Sequence, residues 1–198
     1  MSNIRTTLEV ICTAANEYLQ NIDRRSDGWV LLSNLTDHGG AVHDAIRDKV
    51  VMALYNITRE NTIGTFTAAR PGPDGFAIVK PPIYINLHLM FMANFSDQNY
   101  ADGLAAISGV IAFFQQQPTF TQANAPGLPP DVEKVTLEME NLTPVDVNYI
   151  MSILGTKYLP AAFYKLRLLA FDSTAMQSRT YGVMGHGVSE TPDAPGLS

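Results

Sequence analysis

The residues with the means to do chemistry are four histidines, one cysteine, two acids beside a glycine turn and a glycine-rich run near the C-terminus. His38 lies in the turn Thr36-Asp37-His38-Gly39-Gly40, and His43 and Asp44 follow it, a set that a hydrolase or ligand-binding domain could use as base and carboxylates. The spacing argues against such a site. A helical zinc site places two histidines four residues apart around an acid, and no histidine here has that relation. Asp37 and Asp44 read as solvated turn acids, His88 as a hydrogen-bonded sheet residue and His186 as part of a polar tail. The run Gly182-Val183-Met184-Gly185-His186-Gly187 follows no strand pattern and opens no helix, so it lacks the context of a phosphate loop. Cys12 sits on an apolar helical stripe with no basic neighbour to activate it, which marks a structural thiol. A lone cysteine also excludes an intrachain disulfide and a cysteine-based zinc cluster. No cofactor or metal site is expected, and the chain does not read as an enzyme. Four bases remain as polar contacts: Lys165 and Arg167, alternating on one strand face, and Arg59 and Arg70, at the start of a long connection.

The elements that carry these residues follow from apolar periodicity. Ile4, Leu8, Ile11, Cys12, Ala15, Tyr18, Leu19 and Ile22 recur at three- and four-residue steps and predict an N-terminal helix. Strands are predicted at Trp29 to Leu35 and at Lys49 to Thr58. Residues 59–80, with Pro71-Gly72-Pro73-Asp74-Gly75, are predicted as a projecting loop or twisted β-arm. Ile83 to Phe95 is one long strand whose odd positions are apolar; its even face carries Tyr84, Asn86, His88 and Asn94, which need a polar neighbour or partial water. Ser96 and Asp97 begin a helix reaching about Gln117. On it, Tyr100, Leu104, Ile107, Val110, Ile111 and Phe114 share one arc, and Ala101, Ala105, Ser108, Gly109 and Ala112 share a second arc of small residues. Glu133 to Leu142 is a strand with Val135, Leu137 and Met139 inward. Thr143-Pro144 and Asp146 open a short helix that Gly155 stops, and a last strand runs over Tyr158 to Phe171. The pattern predicts an α+β fold, a largely antiparallel sheet flanked by helices, over residues 1–172, with 173–198 a flexible tail.

Charge is distributed unevenly. From Pro81 to Val132 the charged residues are Asp97, Asp102 and Asp131, and none is basic. Charged side chains keep a folded surface wet, so this region is committed to burial against the same chain or another subunit. Ala101, Ala105, Gly109 and Ala112, with Tyr84, Asn86 and His88, are the candidate subunit contacts. A net charge of −6 with 13 basic residues disfavours nucleic acid. No secretion signal or membrane span is expected from the apolar pattern.

The run Pro81 to Phe91, then Tyr100 to Leu104, Ile111 to Gln115 and Leu154 to Arg167 resemble the cap, or tail terminator, proteins of extracellular contractile injection systems. These are phage-tail-like particles typified by the antifeeding prophage and the Photorhabdus virulence cassettes. The resemblance covers residues 3 to 172. It implies a fold similar to phage tail terminators and a hexameric ring, a homo-oligomer whose partners are the inner tube protein and the contractile sheath protein. The ring would end tube and sheath, fix length and hold the sheath extended, in a particle either released from the cell or anchored in it. Arg59, Arg70, Lys165 and Arg167 become candidates for tube or sheath contact. An alternative is an adaptor between tube and baseplate or cargo of the same particle. The subunit placement predicts that Ala105→Glu or Gly109→Glu breaks the ring before it unfolds the monomer.

Overall fold

The computed structural model describes residues 3–22, 28–36, 44–60, 68–72, 75–79, 83–171 and 176–181. Asp37, His38, His43, His186 and the glycine-rich run 182–187 lie outside the described residues. In chain order the elements are α1 (Asn3–Ile22), β1 (Val30–Leu32), β2 (Lys49–Arg59), β3 (Ala68–Gly72), β4 (Gly75–Val79), β5 (Ile83–Asn94), α2 (Tyr100–Gln116), β6 (Thr119–Thr121), β7 (Lys134–Met139), α3 (Pro144–Ile153), β8 (Ala161–Phe171) and β9 (Met176–Tyr181). The chain divides into a larger unit, Met1–Gly64 with Pro82–Asp172, and a smaller one, Thr65–Pro81 with Ser173–Ser198.

The larger unit is built on a six-stranded sheet in the order β1-β2-β5-β8-β7-β6. Only the β1–β2 pair is parallel; the rest are antiparallel, the α+β class that the sequence pattern indicated. β5 occupies the middle because its length and two-sided apolar content let it pair with both β2 and β8. Alternation along β5 sorts the core into two layers. Leu87, Leu89, Phe91 and Ala93 join α1 and α2 on one face, whereas Met90 and Met92 join Val51, Ala53, Phe163 and Met151 of α3 on the other. Asn16 on α1 stitches that helix to β1, its side-chain oxygen accepting from the Trp29 and Val30 amides and its nitrogen donating to the Val30 carbonyl.

The smaller unit is a three-stranded antiparallel sheet, β3-β4-β9. β9 corrects the expectation of a flexible tail over its six residues: Met176–Tyr181 pairs with β4. The segment has no strong apolar period, and its backbone hydrogen bonds to β4 need none.

Local expectations were met where capping chemistry is self-contained. Thr143 and Asp146 form a reciprocal capping box on α3, with Pro144 in the first turn and Gly155 at φ 65° beyond the end. The start of α2 differs. Ser96 makes no side-chain cap; a 3-10 turn over Asp97–Asn99 intervenes, and the Ser96 amide donates to Asp48 Oδ1 at 3.0 Å. β6 was not foreseen, and two apolar residues expected inside, Met139 and Ile22, are exposed. Both are the last residue of their element.

Candidate functional site

The densest polar cluster of the described residues lies on the sheet face that also carries α3, and four strands build it. A β-bulge makes it possible. β2 pairs Leu54 with Leu89 but Asn56 with His88, so Tyr55 is an extra residue and the inward–outward parity of β2 reverses there. Tyr55 and Thr58 are thereby brought beside His88. A matching shift in β8 follows Leu166, beside Arg167.

His88 bridges two groups: Nδ1 lies 3.0 Å from Glu140 Oε2 and Nε2 lies 2.9 Å from Thr58 Oγ1. A carboxylate can only accept, so Nδ1 holds a ring proton and donates it. The Tyr55 hydroxyl donates to Glu140 at 2.8 Å, and Lys165 Nζ stands 3.8 Å from the same carboxylate. Beside this group Arg167 spans two acids, donating to Glu60 at 3.0 Å and to Glu138 at 3.2 Å, while the Asn86 amide donates to buried Glu60 at 3.2 Å. Asn86 Oδ1 is buried with no hydrogen-bond partner.

This arrangement gives four of the predicted residues contacts within the chain. Asn86 and His88 were candidate subunit contacts, and Lys165 and Arg167 candidate tube or sheath contacts. Each of the four makes a polar contact to a neighbouring strand of the same chain, Asn86 through its nitrogen alone. Tyr84 is half-buried and Arg59 exposed on the same sheet; Arg70 lies on β3. Asp44 is exposed and pairs with Arg47 in its own 3-10 turn, as a solvated acid should. Glu60, Glu138, Glu140, Tyr55 and Thr58 were missed. Their only signal was polar residues at strand positions, which becomes a cluster only once strand order and the bulge are known.

Burial, reinforced by its bond to Glu140, pushes the Tyr55 phenol far above its ordinary value of 10. A phenol kept protonated in the fold but free to ionise when unfolded contributes fully below pH 10 and progressively less above it. Urea midpoints of the wild type are expected to fall as pH rises from 9 to 11. The decline should be smaller in Tyr55→Phe.

α2 supplies the second feature. The residues it buries are Gly103, Ala106, Ile107, Val110, Phe113 and Phe114. Tyr100 and Leu104, which share the arc of large apolar residues, are exposed, and the adjoining Gly103 is buried against Phe95. Ala101 and Ala105 are exposed and Ala112 is half-buried, so this edge of the small-residue arc faces outward. Gly109 does not. A Cβ there would stand 2.4 Å from Leu19 Cδ2 of α1, so its lack of a side chain admits the neighbouring helix of the same chain. The expected effect of Gly109→Glu changes accordingly: it should destabilise the monomer by about 2–4 kcal/mol, seen as a lower urea midpoint, with Ala105→Glu near neutral.

α3 supplies the third. Against β8 it leaves an open groove of about 480 Å³, lined by Leu142, Pro144, Val147, Met151, Tyr158 and Phe163 with Asn148, Ser152 and Thr156 at its polar margin. None of these carries a charge. No helix among the described residues is long and apolar enough to cross a membrane.

Residues 9–183 match the family model described as the Pvc16 N-terminal domain. No curated protein matches the sequence significantly. Among solved structures, the fold is similar to the PVC sheath/tube terminator in the extended state of an extracellular contractile injection system, with a TM-score of 0.60 and 13% identity over 98% of this chain and 65% of that one. It is also similar to the tube terminating cap of the anti-feeding prophage, with a TM-score of 0.59 and 12% identity over 95% of this chain and 62% of that one. The chain thus spans just under two thirds of the length of both.

Proposed function

Because the chain belongs to the Pvc16 N-terminal domain family, we propose that it is a structural cap, a homo-oligomeric ring of six copies that terminates the tube and sheath of a contractile injection particle. The observation that carries this reading is a fold shared with two tube terminators over nearly the whole chain, joined to a family match over residues 9–183. The physics of termination agrees. Each ring added to a stack presents a new binding face, and growth ends only when a subunit binds that face without reproducing it. Such a protein needs surfaces and no reaction. The polar cluster suits this role, since every ionisable side chain in it is bonded to another in the same chain and the cluster acts as a brace.

The smaller unit, with Arg70 on β3 and the 173–198 segment, is the proposed grip on tube or sheath, and the larger unit the ring-forming body. The particle is either released or retained at the cell.

The test is deletion of the gene from a producing strain, followed by electron microscopy of the particles. Tubes and sheaths of unregulated length, or sheaths contracted without a trigger, are expected, and a labelled copy should mark the end furthest from the baseplate. Particles of normal length with an intact end would remove the terminator role. A label at the baseplate would favour the adaptor reading instead.

A further inference from the structure

We infer that copies of this chain join head to tail, the outward face of α2 on one copy seated against the apolar stripe and groove of α3 on the next. This rests on the ring proposed above and specifies its interface.

α3 is apolar on both sides. Val147, Ile150 and Met151 pack onto the sheet. Val145, Tyr149 and Ile153 succeed one another at four-residue steps and stand out from it. Together with Tyr158, which lines the same groove, the three are between 59% and 82% exposed. The surface these four residues leave bare is on the order of 600 Å², the upper end for a monomer's largest apolar patch, and the adjoining groove adds to it toward the roughly 800 Å² each partner gives to a stable interface. The one charged residue of α3, Asp146, is bonded back to Thr143 in the capping box. A charged partner would therefore lose water here with nothing to replace it, so the occupant is neutral at its centre.

The chain itself carries such a surface. Tyr100, Ala101, Leu104, Ala105 and Ser108 face outward on α2, with the exposed Asp102 at their edge, and from Gly103 to Gln117 that helix and its cap have no charge. Alanine and serine let a second backbone come close, and Tyr100 and Leu104 are large enough to enter a groove. Position decides the symmetry. α2 lies with the core on one face of the sheet and α3 with the core on the opposite face. A two-fold contact would cover one of these surfaces against itself and leave the other bare. A head-to-tail contact covers both with one repeated interface, and closes into a ring when the rotation per copy divides a full turn.

The experiment uses two variants of the full chain, Tyr149→Glu and Ala105→Glu, each keeping one intact face. Circular dichroism and thermal melting confirm that both are folded; if either melts early, Ile153→Ser or Leu104→Ser takes its place. By native mass spectrometry and light scattering, the wild type is expected as a ring and each variant alone as a monomer, with association weakened at least 100-fold. An equal mixture is expected to give a one-to-one heterodimer and nothing larger, because only one competent pair of faces remains. A wild-type ring with both variants still forming rings overturns this interface and leaves the ring standing. Dimers of Ala105→Glu alone, with Tyr149→Glu monomeric, would mean α3 pairs with itself and would also overturn it. A wild type that stays monomeric at every concentration counts against the ring as well.

Discussion

Phe91→Ala is expected to lower the stability of the monomer by about 4 kcal/mol, the middle of the range for truncating a buried phenylalanine to alanine. Phe91 is fully buried on the central strand, under α2. Its ring lies 5.1 Å from Phe114 and, edge-on, 5.6 Å from Tyr164, and Phe114 in turn touches Phe113, Phe120 and Tyr164. Truncation therefore leaves a cavity lined by rigid rings, which cannot collapse into it as aliphatic side chains do, and removes the edge-to-face contacts as well. Equilibrium urea unfolding checks this, with Phe91→Leu as the control expected to lose less than half as much. A loss under 1 kcal/mol for alanine would mean that the aromatic layer is not what holds α2 on the sheet.

Glu140→Ala is expected to cost about 3 kcal/mol for a different reason. The carboxylate is the shared acceptor of the Tyr55 hydroxyl and His88 Nδ1 and lies near Lys165, and its own side chain is only 15% exposed. Its removal leaves a half-buried donor on each of two strands without a partner, and a half-satisfied network is worse than none. The same logic predicts non-additivity. His88→Ala in the Glu140→Ala background should cost at least 1 kcal/mol less than in the wild type, because its partner has already gone. Additive losses in that double-mutant cycle would show that the two residues stabilise the sheet independently. As the cluster's contacts lie within one chain, neither substitution is expected to abolish the proposed ring at temperatures where the variant is folded.

Interaction at short sequence range was legible without coordinates. The stripe on α1, the long alternation of Ile83 to Phe95 and the Thr143–Asp146 capping box each depend on residues within a few positions of one another, so periodicity and capping chemistry suffice to find them. The uncharged stretch after Pro81 was likewise visible, because charge is a property of residue type. It predicted α2 to be covered on more than one side, and at Gly109 the cover is Leu19 of the same chain.

What the amino-acid sequence determined by itself was the class of fold, the type and approximate extent of its long elements, and a family resemblance carried by the strand and helix around the uncharged stretch. What only the tertiary structure decided was which side of each element meets which neighbour. One inserted residue at Tyr55 reverses every side chain after it in β2, and α2 is set with Gly103 against Phe95 and Tyr100 and Leu104 facing outward. Local pattern cannot hold that information, because strand pairing and helix rotation are settled by contacts between residues tens of positions apart. The brace of Glu60, Glu138, Glu140, His88 and Arg167 exists only through those long-range pairings, and so does the bare apolar stripe of α3.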